Sequence, residues 1–394
     1  MHVMQSSQPF RPGCARHRRT ESRRLWPVPG MVLLLLGSIA CKTEPAQVES
    51  AKLELGVAKI ADKAPAVAPS TGTLHAATGT VRVLSADAAV LQRPTTVAVR
   101  GQTLWLSIGQ LSALFSDGGK PNLPFAAVSL PLSGGAFGAE AIELPGPDFY
   151  PEGITAASDG TIYVGSIMQG VIVKAAPGST KAVPFVQKGT AHRGVIGMTV
   201  DAPRQLLWFC DSNPKLEDAK KAGELVGVQL SDAREVARHA LPRAGEKAPF
   251  CNDVIVSPDG TLWITDSAGG RVLRVPAAGA LEAGPAQVWM DGGDVAPPAS
   301  GGSGANGLEW LDGSLVVANV GRGTLVKLDP KSEDPKTSAQ VFVLSDEKDK
   351  HPVTLCSPDG LERVPGSKNQ LVVVENGGCA EKTPRIVEVT LDAG

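Results

Sequence analysis

The sequence predicts an all-β protein, a single six-bladed β-propeller domain, and three observations carry that expectation. Gly (44) and Pro (31) are abundant while only 20% of residues are charged, a mix that suits many short strands and turns better than long helices. Six segments share one pattern of apolar strand, turn and second strand. Their marker residues, Trp105, Tyr163, Trp208, Trp263, Val316 and Val372, fall 58, 45, 55, 53 and 56 residues apart. Such a period, with three to four short strands per unit, suits radially stacked sheets, because one unit cannot bury its own two faces.

The N-terminus precedes the fold. Arg18, Arg19, Arg23 and Arg24 lead into "MVLLLLGSIA" (31–40), an apolar run too short to span a bilayer. Residues 1–40 therefore read as a signal peptide, with Cys14 inside it. Cys41 follows directly, which resembles a bacterial lipoprotein signal in which that thiol is lipidated, although Ser38 stands where Leu is usual. The protein is expected to be exported to the bacterial periplasm or cell surface and held to a membrane by lipid on Cys41. A plain secretory signal is the alternative, and a mature N-terminus downstream of Cys41 would favour it. Residues 41–74 are rich in Ala, Pro, Lys and Glu and lack aromatics, so they read as a flexible tether. Residues 75–394 remain for the propeller. A net charge of −2 without a basic patch gives no reason to expect nucleic acid, and a monomer is expected.

Each unit opens on a recognisable segment. These are "PTTVAVRGQTLWLS" (94–107), "PEGITAASDGTIYVGS" (151–166), "VIGMTVDAPRQLLWFCDS" (195–212), "CNDVIVSPDGTLWITDS" (251–267), "ANGLEWLDGSLVVAN" (305–319) and "PDGLERVPGSKNQLVVVEN" (358–376). In the fourth, Pro258-Asp259-Gly260 supplies the turn chemistry between two strands. Most units continue with further strand-like runs such as "RVLRVPA" and "AQVWMD".

The phase of the repeat points to a site. Equivalent positions at the start of the innermost strand are Thr95, Glu152, Ile196, Asn252, Asn306 and Asp359. Rotation about the ring axis makes such positions converge, so four sequence-distant oxygen donors should meet at one mouth of the channel. Two carboxylates and two amide carbonyls, without His or thiolate, are hard ligands that favour Ca²⁺, or another divalent cation, over zinc or copper. Four protein oxygens fall short of the roughly 6–8 that calcium takes, leaving positions for water or substrate. Asn-Gly and Asp-Gly are also common turn dipeptides, so plain turn chemistry is the competing reading.

These segments resemble the senescence-marker-protein (regucalcin), gluconolactonase and luciferin-regenerating-enzyme superfamily of six-bladed propellers, related to diisopropylfluorophosphatase and the paraoxonases. The resemblance covers about residues 90–392 and implies a catalytic divalent ion held by Glu152, Asn252, Asn306 and Asp359. It also implies hydrolysis of a small-molecule lactone, ester or phosphotriester, with the ion as Lewis acid, Asp359 as base or nucleophile, and Glu152 mainly holding the metal. The separations of 100, 54 and 53 residues match two blades, one and one. Two features depart from the family. A whole blade precedes Glu152 and only 35 residues follow Asp359, so the ring should close differently; and "PEGI" replaces a more usual Gly-Glu-Gly-Pro.

Asp253 is a candidate to orient the Asn252 amide, or else a turn residue. His192 and His351 precede inner strands and are carried as pocket candidates against the commoner reading of loop residues. Outside Cys14 and Cys41, four cysteines imply two disulfides. Placed on blades, Cys210, Cys251, Cys356 and Cys379 all lie near one mouth, giving Cys210–Cys251 and Cys356–Cys379 as expected pairs. Trp105, Trp208 and Trp263 read as blade packing, and substrate choice is assigned to the loops 109–124, 212–223 and 291–305. The rival to an enzyme is a non-catalytic lipoprotein propeller that binds protein, glycan or a small ligand at the channel mouth.

Overall fold

The computed structural model describes residues 77–115, 119–187, 192–212, 221–243, 245–379 and 383–392. The expected signal peptide, Cys41 and the tether lie outside them, as do parts of the loops 109–124 and 212–223. Within them, the six segments fold into six sheets. Blades 1 to 5 each hold four strands in sequential order. Their inner strands are Pro94–Arg100, Pro151–Ala156, Val195–Asp201, Cys251–Val256 and Ala305–Leu311. The second strands are Thr103–Ile108, Ile162–Ser166, Leu206–Asp211, Leu262–Asp266 and Ser314–Asn319.

Blade 6 closes the ring and explains the short C-terminal unit. It takes Pro358–Arg363, Gln370–Glu375 and Arg385–Leu391 from the end of the chain, and Thr78–Ser85 from its beginning. Thr78–Ser85 pairs antiparallel with Arg385–Leu391, with Val81 opposite Val389 and Arg82 opposite Glu388. The Arg82 guanidinium also bonds the Glu388 carboxylate at 3.0 Å. Val343–Asp346 then joins parallel to the N-terminal strand and pairs on its other side with Pro352–Val353, so this blade carries six strands.

Apolar residues alternate onto the two faces of each blade and bury against the neighbouring blades. Tyr163 and Ile172 of blade 2 meet Leu207, Phe209 and Val226 of blade 3. Leu104, Leu106 and Leu130 of blade 1 meet Val372, Val374 and Ile386 of blade 6. Trp105, Trp208 and Trp263 are 2%, 0% and 3% exposed, so the marker position is packing, as expected. The turn at Pro258-Asp259-Gly260 forms as read: Gly260 N–H donates to Ser257 O at 2.8 Å, and Gly260 takes φ of +83°, which a residue with a Cβ resists.

One irregularity recurs in every blade and creates the site. Pairing of the inner with the second strand shifts register between Pro94 and Val97, Pro151 and Ile154, Val195 and Met198, Cys251 and Val254, Ala305 and Leu308, and Pro358 and Leu361. The two residues within each bulge are released from the ladder, which re-aims their side chains. The second of them sits tightly against the next blade. A Cβ on Gly153 would stand 2.0 Å from Ile196 O, and one on Gly307 2.1 Å from Asp359 O. Neither neighbour is a flexible side chain, so the strands themselves would have to part. Gly307→Ala is therefore expected to destabilise by about 1–3 kcal/mol or more, read as a lower denaturant midpoint. An unchanged midpoint would contradict this close approach.

Candidate metal centre

The first residue of each bulge defines the candidate centre, and the six positions divide into two kinds. Thr95 turns its hydroxyl into the fold, where Oγ1 donates to Glu152 O at 2.9 Å and meets Ser107 Oγ. Ile196 is 1% exposed and belongs to the apolar core. Glu152, Asn252, Asn306 and Asp359 are also buried, at 5%, 9%, 7% and 5% exposure, although all four are polar.

Glu152, Asn306 and Asp359 come together. The Asn306 side chain holds down the proton affinity of Asp359, as a hydrogen-bond donor does, and the charge of Asp359 raises that of Glu152. Asn252 shares their phase and burial, but no side-chain hydrogen bond ties it to them among the described residues. The backbone beneath is fixed by hydroxyls of the preceding blade. Ser107 Oγ donates to Glu152 O at 2.6 Å, and Thr265 Oγ1 to Asn306 O at 2.6 Å.

Sequence reasoning missed Asn376, which follows the second strand of blade 6. Its Nδ2 donates to Asp359 Oδ2 at 2.8 Å. The only available signal was its place next to a strand end, which is not the inner-strand phase that revealed the others.

Unpaired oxygens mark this cluster. Among the described residues, the buried side-chain oxygens without a hydrogen-bond partner are Glu152 Oε2, Asn306 Oδ1, Asn376 Oδ1 and Thr324 Oγ1. Three of the four therefore belong to residues coupled to Asp359, Asn306 and Asn376 by acting on it and Glu152 by feeling its charge. Each of those three is an acceptor, and leaving a buried acceptor unsatisfied costs about 1–3 kcal/mol. Grouped in this way, these oxygens could hold a cation. Among the described residues no three His, Cys, Asp or Glu side chains are grouped so as to hold a metal by themselves. The set here instead combines two carboxylates with amide oxygens.

Burial dominates the electrostatics. It pushes the Glu152 carboxyl well above the usual carboxylate range, and the charges of Asp359 and Asp253 add to that. Asp359 is pushed up to about 7 by burial, against the stabilising hydrogen bonds of Asn376 and Asn306. Asp253 also rises to about 7 through burial, opposed by backbone hydrogen bonds and assisted by Asp359 and Glu309. At the fifth position of the blade 5 and 6 inner strands, Glu309 and Glu362 line a cavity of about 290 Å³ with Val99, Gly101, Arg363 and Pro365. Both carboxyls are raised chiefly by burial, Glu309 to about 7. Carboxyls gathered in this way favour a cation over an anion.

Asp253 differs from the expectation for it. Its Oδ1 accepts from its own blade at Val254 N, 2.9 Å, and its Oδ2 accepts from Leu308 N in blade 5, 3.2 Å. It thus ties two inner strands together, and its bonds go to the backbone rather than to the Asn252 amide. Gly197 makes room, since a Cβ there would lie 2.2 Å from Asp253 Oδ1. The histidines stand away from the cluster. The His192 ring is buried against Asp211, Nδ1 to Oδ2 3.3 Å, and Phe209. His351 is exposed, with Asp349 beside it. Cys210 is bonded to Cys251 and Cys356 to Cys379, the pairing expected from their places on the blades.

No family model matches the sequence, and no curated protein matches it. Solved structures do. Regucalcin from Agrobacterium tumefaciens, titled a calcium-binding protein, aligns over 81% of this chain and 97% of its own at TM-score 0.55 and 14% identity. A luciferin-regenerating enzyme aligns over 79% and 95% at TM-score 0.54 and 16% identity. A gluconolactonase-family protein aligns over 80% and 92% at TM-score 0.51 and 12% identity. At these identities the likeness establishes the six-bladed fold.

Proposed function

We propose that this chain is a divalent-cation-dependent hydrolase of a small lactone, ester or phosphotriester, with calcium the favoured ion. The observation that carries the reading is the group of buried acceptors without donors, Glu152 Oε2, Asn306 Oδ1 and Asn376 Oδ1, gathered around Asp359. Glu152, Asn252, Asn306 and Asp359 would hold the cation, and their two negative charges would balance its two positive ones. Like folds titled regucalcin, gluconolactonase-family protein and luciferin-regenerating enzyme support the reading. The bound ion would supply Lewis-acid polarisation of a carbonyl or phosphoryl oxygen.

The chain's own residues do the rest. Asp359 is suited to take a proton from water, because it is a carboxylate that would stand beside the ion. Asn306 and Asn376 fix the carboxylate by donating to it, which orients the lone pair that must receive the proton. Glu152 supplies negative charge, and the bulges keep the donors at one level across blades.

Calorimetry with calcium chloride on the full chain tests the reading, alongside a panel of lactones, aryl esters and phosphotriesters. Asn252→Ala and Asp359→Asn are each expected to weaken calcium binding at least about tenfold, on the order of 1.4 kcal/mol, and to abolish turnover. Calcium bound without turnover of any class would favour the rival, a non-catalytic binder. A chain that takes up no divalent cation and is unchanged in EDTA would reject the metal altogether.

A further inference from the structure

We infer that Asn376 is a fifth oxygen donor to the cation as well as the residue that positions Asp359. The inference rests on the metal reading above and adds a ligand from outside the inner strands.

Asn376 occupies a position repeated in all six blades. Gly109, Ile167, Ser212, Ser267, Val320 and Asn376 each follow the second strand. Each donates its N–H to a carbonyl just before the inner strand of its own blade, at Arg93, Tyr150, Gly194, Phe250, Gly304 and Ser357. The backbone at Asn376 is therefore set by the fold and not by its side chain. Where the position is Ser, the hydroxyl ties neighbouring blades: Ser212 Oγ donates to Cys251 O and Ser267 Oγ to Ala305 O. Asn376 does something else. It reaches Asp359 of its own blade through Nδ2 and leaves Oδ1 buried without a partner.

The amide has two ends, and the acceptor Asp359 fixes which is which. With Nδ2 donating to the carboxylate, Oδ1 is the end left over, and an amide oxygen can accept a hydrogen bond or coordinate a cation. Glu152 Oε2 and Asn306 Oδ1 share that unmet state and the same neighbour. The segment is also well anchored, since Cys379 is bonded to Cys356 and Glu375 accepts the Cys356 N–H. A rigid, neutral fifth oxygen would bring the protein donors closer to the roughly 6–8 that calcium takes without adding charge.

Calcium titration of full-length Asn376→Ser and Asn376→Asp, followed by calorimetry and terbium luminescence, tests this. Ser is compatible with the fold because two blades carry it at this position. Asn376→Ser is expected to weaken calcium binding at least about tenfold while melting in EDTA within a few degrees of the unaltered chain. Asn376→Asp restores an oxygen but loses the donor to Asp359, so calcium binding should return to within about threefold at pH 8 while stability in EDTA falls. Calcium binding by Asn376→Ser equal to that of the unaltered chain, with binding lost in Asp359→Asn, would overturn this inference alone. Equal weakening in the Ser and Asp variants would reduce Asn376 to a purely positioning role and also overturn it. No binding by the unaltered chain would instead overturn the metal reading beneath it.

Discussion

Glu152→Gln is expected to raise the melting temperature of the cation-free protein at pH 8 and to abolish the rise that calcium should give the unaltered chain under the proposed metal reading. Both effects come from one carboxylate. Glu152 is 5% exposed, and burial together with Asp359 and Asp253 opposes its ionisation. A buried charge without a partner destabilises a fold, and Gln removes that charge at nearly constant volume. The same charge should be what attracts and holds the cation, so its loss separates stability from binding.

The pH dependence follows from the same groups. Asp359 rises to about 7 in the fold, and Glu152 rises too, from ordinary carboxylate values near ~4 in the unfolded chain. Between those limits the folded state binds more protons than the unfolded state, so stability falls as pH climbs. Below the window both states are protonated and the advantage is fully present. Each pH unit inside it costs about 1.4 kcal/mol for a fully linked carboxyl. In EDTA the unaltered protein should therefore melt higher at pH 5 than at pH 8, and Glu152→Gln should show a shallower slope. Calcium competes with those protons, so its affinity should rise with pH through about 7. Thermal melts at several pH values, with EDTA or calcium, read all three trends. Stability that climbs with pH in EDTA, or a Glu152→Gln variant that still gains stability from calcium, would refute this account.

The inner-strand phase was legible because bulges repeat at one place, and residues freed from a ladder need not be strand formers. That is why Glu152, Asn252, Asn306 and Asp359 stand out in strands that otherwise read as apolar. The position that follows carried a signal as well: Gly153, Gly197, Gly307 and Gly360 share one phase because adjacent inner strands nearly touch there. Asn376 was not legible. Its five counterparts are Gly, Ile, Ser, Ser and Val, a position the fold holds by backbone alone and leaves free to vary. The closing strand Thr78–Ser85 was hidden for another reason. It belongs to the last blade but lies before the first repeat, so no periodic comparison along the chain pairs it with Arg385–Leu391. Asp253 was misplaced because its acceptors suit either an amide or a backbone N–H, and only the spacing of inner strands decides between them.

Arg271→Ala should cost about 3–5 kcal/mol of stability, because it strands a buried carboxylate. Arg271 opens the third strand of blade 4, Arg271–Val275, and is 2% exposed; Asp266, ending the second, is fully buried. Nε and one terminal nitrogen of the guanidinium reach Asp266 Oδ2 at 2.9 and 2.7 Å, and that terminal nitrogen also donates to Pro242 O at 2.6 Å. The other carboxylate oxygen, Oδ1, accepts from Phe250 N at 2.8 Å and Gly269 N at 3.1 Å. Phe250 lies two residues before Asn252, so the pair anchors the strand that carries a proposed ligand. Blade 6 repeats the device with other residues. Arg385 Nε donates to Glu375 Oε2 at 2.7 Å, while Glu375 Oε1 accepts from Cys356 N, shortly before Asp359. Arg271→Lys keeps the charge but offers no planar fork, so it should fall between Ala and the unaltered chain. Calcium affinity should weaken along the same order, since the Phe250 contact loosens with Asp266. Chemical denaturation and calcium calorimetry on both variants decide the matter. A loss below about 1 kcal/mol for Arg271→Ala would show that the surrounding backbone N–H groups alone satisfy Asp266.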